Sequence, residues 1–396
     1  MFVSLNVPSP SLRFVGPLLA ASVLLLVALA WTGALGQERE TRAKQAILID
    51  VETGTTLFAK DADARVPPAS MAKLMTMAVV FEALRDGTLR PDQEFVVSEA
   101  AWRQGGAPSR GTTMFAALGS SIRVEDLIRG VIVQSANDGC IILAEGMAGT
   151  QEAFAGLMND LAARLGLSNS HFTNPTGYAD PDQYVSVRDL ATLTGYLISE
   201  FPDLYKIYAE PEFTWNKIRQ LNRNPLLAMN VGADGLTTGS TEDSGFGLAA
   251  SAVRSGQRLI LVIAGVDNDK TRNDEAKKLI DWGFNEFERV RLFDTGEVVA
   301  EAKVFGGASS RVGLVSKRPL DLLLPFGARN TLRAEIRYEG PLRAPVAAGV
   351  EVGKVTVTTT DGMTMQAPVY TAAAVEVGPL QSRALDAVEE LLIGWW

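Results

Sequence analysis

After Val290 the chain settles into short apolar runs separated by Gly and Pro turns, as far as about Val377. Before that point it carries several long segments with a helical period. A chain that mixes helical and strand periods up to that point and carries only strand periods after it reads as a mixed helix-and-strand domain followed by a smaller all-β one. Its 396 residues, 47% of them hydrophobic, accommodate that division and a sizeable core. The net charge of -9, with no basic run, argues against nucleic acid as a partner. There is one cysteine, Cys140, and one histidine, His171. A single thiol excludes an intramolecular disulfide, and the pair argues against a His/Cys metal cluster or a histidine-based triad. A hydrolase built on this chain needs a different base.

The two ends stand apart from the rest. Within residues 1–36 the only charge is Arg13, followed by the apolar run Phe14 to Ala30 and then Ala34-Leu35-Gly36. Two readings fit: an export signal cut after Gly36, or an uncleaved N-terminal anchor. Both place the remainder outside the cytoplasm. In residues 380–396, Leu380, Ala384, Leu385, Val388, Leu391, Leu392 and Trp395 fall on one helical face. That amphipathic helix, ending in Trp395-Trp396, suits an interfacial membrane anchor; docking on the β-rich domain is the other reading.

Between the ends, Ala46 to Asp50 and Thr55 to Ala59 form a hairpin pattern. Pro67-Pro68-Ala69-Ser70-Met71-Ala72-Lys73 predicts an extended lead into a helix that runs to about Leu84. Ser70 and Lys73 are then one turn apart on the same face. A desolvated lysine there loses its proton near neutral pH and takes the serine's, while the helix N-terminus favours the resulting alkoxide. Alone, the pattern describes a serine N-cap and an exposed lysine equally well. Further helices are expected over Val124 to Gln134, Ile141 to Met147, 152–165, 186–200 and about Asn273 to Phe287. Strands are expected over Phe246 to Val253 and Arg258 to Val266. Asp138 reads as a cap for the following helix, Cys140 as a small buried apolar residue, and His171 as a structural hydrogen-bonding group.

Three motifs line up in order: Ser70-Met71-Ala72-Lys73, Ser135-Ala136-Asn137 and Thr237-Thr238-Gly239. Their spacing resembles the Ser-x-x-Lys, Ser-x-Asn, Lys-Thr-Gly signature of penicillin-binding proteins and serine β-lactamases. The flanking segments narrow the resemblance. Val133 to Asp138, His171 to Gly177, Asn222 to Leu227 and Asp281 to Phe284 are similar to D-alanyl-D-alanine carboxypeptidases, the class C low-molecular-mass penicillin-binding proteins. The resemblance implies an α/β catalytic domain of the penicillin-binding/β-lactamase type, an antiparallel sheet with helices on both sides, over residues 42–290. It implies a small all-β C-terminal domain over 291–378. It also implies that Ser70 is the nucleophile, Lys73 its base, Ser135 a proton relay and Asn137 a substrate ligand. Thr238 would bind the terminal carboxylate, and the Ser70 and Ser240 N–H groups would form the oxyanion hole. Thr237, Gly239, Arg223 and Arg272 complete the expected binding set. The substrate implied is the peptidoglycan pentapeptide, with β-lactams as inhibitors and neither metal nor cofactor.

One position departs from the signature. The family has lysine where this chain has Thr237, and that lysine supplies positive charge and helps keep the Ser-x-x-Lys lysine neutral. Arg223 and Arg272 are the candidates to make up part of that charge. Thr237 also favours the alternative reading, a catalytically impaired relative that binds peptidoglycan or an envelope partner. A β-lactamase fits less well, because the β-rich region and Asn222-Arg223-Asn224 are carboxypeptidase-like.

Overall fold

Asp50 shows how the first hairpin closes: its Oδ1 accepts from the Thr53 N–H at 2.8 Å and from Thr53 Oγ1 at 2.7 Å. Gly54, at φ 69°, then turns the chain back. The strands on either side are Gln45–Asp50 (β1) and Thr56–Lys60 (β2). The computed structural model describes residues 3–4, 40–242, 244–326, 332–359, 364–380 and 383. The expected export segment and the expected C-terminal helix therefore lie almost entirely outside the described residues.

Five long helices follow in the first two hundred residues: Lys73–Arg85 (α1), Val124–Gln134 (α2), Asn137–Ala148 (α3), Gln151–Arg164 (α4) and Val187–Glu200 (α5). Glu212–Trp215 (β3) and Ile218–Leu221 (β4) form a small separate hairpin. Next come the long strands Ala233–Thr241 (β5), Gly245–Arg254 (β6) and Gln257–Val266 (β7). The catalytic part of the sheet runs in the order β2-β1-β7-β6-β5, antiparallel, and at β2 it continues into the β-rich strands through the pairing of Thr56 with Thr364. β5, which carries the third motif, is its edge.

Alternation along these strands sorts the core into two layers. Ile47, Ala249 and Val262 face a layer built with α1 to α5. Their neighbours Leu48, Leu248, Ala250, Leu261 and Ile263 face the other side. There they meet Ala276, Leu279 and Ile280 of the helix Asp269–Asn285 (α6). The same apolar layer continues into Leu320, Leu322, Val355 and Val369 of the strands that follow. The antiparallel sheet between helices, with an all-β region beyond it, is the expected architecture.

Three details differ from expectation. α6 starts at Asp269 instead of near Asn273, because the Asn268 side chain accepts the Thr271 N–H at 2.8 Å and caps it. The strand pattern resumes immediately afterwards, at Phe287–Phe293 (β8), three residues before Val290. The β3–β4 hairpin gave no strong apolar run. It is closed by Asn216 and Lys217, both with positive φ, the geometry of a tight two-residue turn.

A polar clamp ties α1, α4 and α5 together. Glu82 of α1 accepts from Arg164 Nη1 of α4 at 3.1 Å and from the Tyr196 hydroxyl of α5 at 2.6 Å. Burial would raise its pKa, but these hydrogen bonds outweigh it and hold the carboxyl below its ordinary value. Glu82→Gln is expected to cost about 2 kcal/mol in urea unfolding at neutral pH. A depressed pKa contributes stability at neutral pH that is lost as pH falls through the folded-state value. The gap between the two proteins should therefore close in acid. A gap that persists there would assign the loss to packing.

Candidate active site

Ser70 lies in a short 3₁₀ turn, Ala69–Ala72, and Lys73 opens α1 directly behind it. The lead-in is more sharply turned than an extended segment: Pro68 is helical and Ala69 takes φ 47°. Two glycines hold this turn from either side. A Cβ on Gly177 (φ 84°) would stand 1.8 Å from the Ala69 carbonyl oxygen. One on Gly239 of β5 would stand 3.1 Å from the Ser70 nitrogen. The third motif therefore packs directly on the backbone of the Ser70 turn.

Lys73 is almost fully buried, and its Nζ donates to Ser70 Oγ and to the Thr176 carbonyl, both at 2.8 Å. Thr176 is fixed by Asn174, whose Oδ1 accepts from the N–H groups of Thr176, Gly177 and Tyr178 and from Thr176 Oγ1. Thr76 Oγ1 adds a bond to the Pro175 carbonyl at 2.7 Å. The Asn174-Pro175-Thr176-Gly177 turn is thus part of the site, since it orients the Lys73 amine and supports the Ser70 turn. The motif was legible, but its contact with Lys73, across about a hundred residues, was not.

Burial brings the Lys73 amine down to about 8; the Cys140 thiol opposes this and the Arg223 guanidinium adds to it. Cys140 is fully buried, and burial pushes its thiol up to about 12. At neutral pH it is a neutral apolar neighbour, as expected.

Ser135 ends α2 in the left-handed region (φ 59°, ψ 38°), a conformation that non-glycine residues adopt under constraint. Its carbonyl accepts from Thr112 Oγ1 at 2.5 Å, and the Asn137 N–H donates to the Thr112 carbonyl at 2.9 Å. The Ser135 hydroxyl is buried and has no hydrogen-bond partner among the described residues. That is unusual unless a ligand completes it.

Asp138 corrects an expectation. The N-cap of α3 is Ala136, with no side-chain cap. The Asp138 carboxylate instead accepts from Thr113 Oγ1 and from the N–H groups of Met114 and Ala116. It pins the 113–116 strip to the helix behind Asn137. His171 is structural, with Nδ1 at 3.0 Å from the Asp182 carbonyl oxygen.

The remaining expected residues divide. On β5, Thr237 is nearly buried and its hydroxyl turns to the Thr238 carbonyl at 3.4 Å, while Thr238 and Ser240 are more open. Arg272 is buried, donates Nε and Nη2 to Asn273 Oδ1, and lies 5.9 Å from the Phe246 ring centroid. Phe246 is the register partner of Ser240, which places Arg272 at the far end of the motif strand. Arg223 is exposed beside Gln134, next to Ser135. Beside the Ser70 turn a cavity of about 580 Å3 opens between Pro68, Ala69, Tyr178, Asp180, Tyr184 and Thr241. A larger cavity of about 890 Å3 lies on the β-rich strands and touches none of the three motifs. No cluster of three potential metal ligands occurs among the described residues.

Gly177 carries a prediction. Gly177→Ala should cut acylation by a β-lactam about a hundredfold, because the clash is with backbone and displaces the Ser70 turn. Gly119→Ala is the control, since Gly119 shares the positive φ but has nothing within 4 Å. Equal acylation rates in the two variants would mean that the close approach is unimportant.

Both parts of the chain match known families. Residues 33–268 match the family described as D-alanyl-D-alanine carboxypeptidase, and residues 287–377 match the C-terminal domain of penicillin-binding protein 5. The chain is 38% identical to D-alanyl-D-alanine carboxypeptidase DacC of Escherichia coli, over 89% of each chain. Among solved structures it resembles penicillin binding protein 5 from Haemophilus influenzae (TM-score 0.73, 36% identity, covering 86% of this chain and 99% of that one). Penicillin-Binding Protein D2 from Listeria monocytogenes, solved in an ampicillin-bound form, matches with TM-score 0.55 and 28% identity, covering 63% of this chain and all of that one. With the Ser70–Lys73 pair, the motif strand and the β-rich region all in place, the chain belongs to the D-alanyl-D-alanine carboxypeptidase family.

Proposed function

We propose that this protein is a serine-type D,D-carboxypeptidase that removes the terminal D-alanine of peptidoglycan pentapeptides and is acylated by β-lactams. The observation that carries the reading is the buried Lys73 amine, 2.8 Å from Ser70 Oγ. In its neutral form Lys73 accepts the Ser70 proton as Oγ attacks the carbonyl between the two D-alanines. The Ser70 and Ser240 N–H groups stabilise the oxyanion. Ser135 passes a proton to the departing amine, and its unpartnered hydroxyl supports that role. Water then hydrolyses the acyl-enzyme. Asn137 holds the substrate backbone, Gly239 lets the motif strand approach, and Thr238 with Arg223 and Arg272 receives the terminal carboxylate. The cavity beside Tyr178 and Thr241 offers room for the peptide on the acyl side.

The test is D-alanine release from a pentapeptide, run alongside labelling by fluorescent penicillin. Both are expected. Penicillin labelling without release would overturn the carboxypeptidase assignment, and absence of both would favour the alternative, a binding protein of the envelope. That alternative draws on Thr237, which brings no charge to the motif.

The catalytic unit is assigned to 42–290 and the β-rich unit to 291–378. Residues 1–36 are assigned to export and 380–396 to attachment at the outer face of the inner membrane, in the periplasm. No described helix is long and apolar enough to cross a membrane. Deleting 380–396 should move the protein from the membrane to the soluble fraction; equal membrane binding of both forms would point to the N-terminal segment.

A further inference from the structure

The cleft is short of one charge. In the Ser-x-x-Lys, Ser-x-Asn, Lys-Thr-Gly signature the third motif begins with a cation, and here Thr237 turns a neutral hydroxyl to its own strand. Burial already favours the neutral form of the Lys73 amine, and a neighbouring positive charge adds to that effect.

The segment after β4 supplies such a charge from the opposite wall. The Arg223 N–H donates to the Val133 carbonyl at 3.0 Å, and Arg223 Nε donates to Gln134 Oε1 at 3.4 Å. Val133 and Gln134 are the two residues before Ser135, so Arg223 is seated on the turn that carries the second motif. Asparagines on either side fix it. Asn222 Nδ2 donates to the Tyr208 and Glu210 carbonyls, and Asn222 Oδ1 accepts the Asn224 N–H. Asn224 Oδ1 in turn accepts the Leu226 N–H. Arg223 makes no ion pair among the described residues, so its charge is not spent on a carboxylate. Burial acts most strongly on Lys73, followed by Cys140 from α3 and then by Arg223. The thiol is neutral at physiological pH, which leaves the guanidinium. Arg272, the other candidate, is buried against Asn273 and Phe246.

We propose that Arg223 has taken over the electrostatic role of the missing motif lysine, supplying the cleft's second positive charge from the Ser135 wall and so keeping Lys73 able to accept a proton. The inference rests on the D,D-carboxypeptidase reading. Arg223 acts here through Lys73 and is a positioning residue in that role.

The test is the second-order rate of acylation by a fluorescent penicillin, measured from acid to alkaline pH on the full chain. Arg223→Ala should lower the rate at neutral pH about tenfold and move the acid limb of the profile up by about one pH unit. Arg223→Lys should keep most of the wild-type profile, because it keeps the charge. Adding Thr237→Lys to Arg223→Ala should restore both the rate and the limb. In the wild type the same lysine should change the rate less than about threefold, the non-additivity expected of two groups with one role. An unshifted limb in Arg223→Ala overturns the proposal, and so does an equal gain from Thr237→Lys with and without Arg223. Failure of the wild type to acylate at all would instead overturn the enzymatic reading beneath it.

Discussion

Ser70→Ala is expected to leave no covalent adduct with a fluorescent penicillin and to cut D-alanine release about ten-thousandfold or more. Ser70 Oγ is the hydroxyl that lies against the buried amine, at 2.8 Å from Lys73 Nζ. Ser135 also presents a hydroxyl, but it has no hydrogen-bonded base to activate it. The substitution removes one oxygen from a turn whose neighbours Ala69, Met71 and Ala72 are already packed in the core. Lys73 keeps its bond to the Thr176 carbonyl. The fold should therefore survive, with a stability change of about 1 kcal/mol. The two measurements are an adduct on a denaturing gel and a thermal transition close to that of the wild type. An adduct formed by the alanine variant would move the nucleophile elsewhere.

Lys73→Arg should lower the acylation rate about a thousandfold while preserving positive charge at the site. Arginine does not give up its proton in a protein and cannot serve as the base. In the wild type, burial sets the amine at about 8, so near neutral pH a minority of molecules carry it in the accepting form. The sign follows directly. A base works when deprotonated, so the acylation rate should climb as pH rises towards 8 and level off above it. Stopped-flow acylation across that range reads both the limb and the plateau. A flat profile, or an arginine variant that acylates at the wild-type rate, would remove Lys73 from the role of base.

Much of this was legible because it is local. Ser70 and Lys73 are three residues apart, and helical spacing alone puts them on one face. The strands Gly245–Arg254 and Gln257–Val266 announced themselves through long apolar runs. What stayed hidden depends on distant partners. Asp138 has the sequence context of a cap, and its use as a clamp on Thr113, Met114 and Ala116 appears only when a loop folds over it. Thr176 contributes a carbonyl, a group every residue has, so no side-chain pattern could mark it as a ligand of Lys73. The β3–β4 hairpin is short and partly polar. Its signal was the pair Asn216-Lys217, weak because lysine is not a typical residue for a left-handed turn.

The β-rich region grips the catalytic sheet at the turn of its first hairpin. Arg289 pairs with Glu52, the Leu323 N–H reaches Thr55 Oγ1, and Thr364 is the register partner of Thr56. No residue of the three motifs takes part in these contacts. Tension applied to the far end of the molecule therefore enters the sheet through the shared apolar layer, a surface ion pair and a few hydrogen bonds at this hairpin, without pulling directly on the Ser70 turn. Over evolutionary time the same arrangement frees the β-rich strands to diverge on their outer faces, provided that the residues facing Glu52, Thr55 and Thr56 keep their shape. The motif residues and the outer faces of the β-rich strands can then be selected almost independently along one polypeptide.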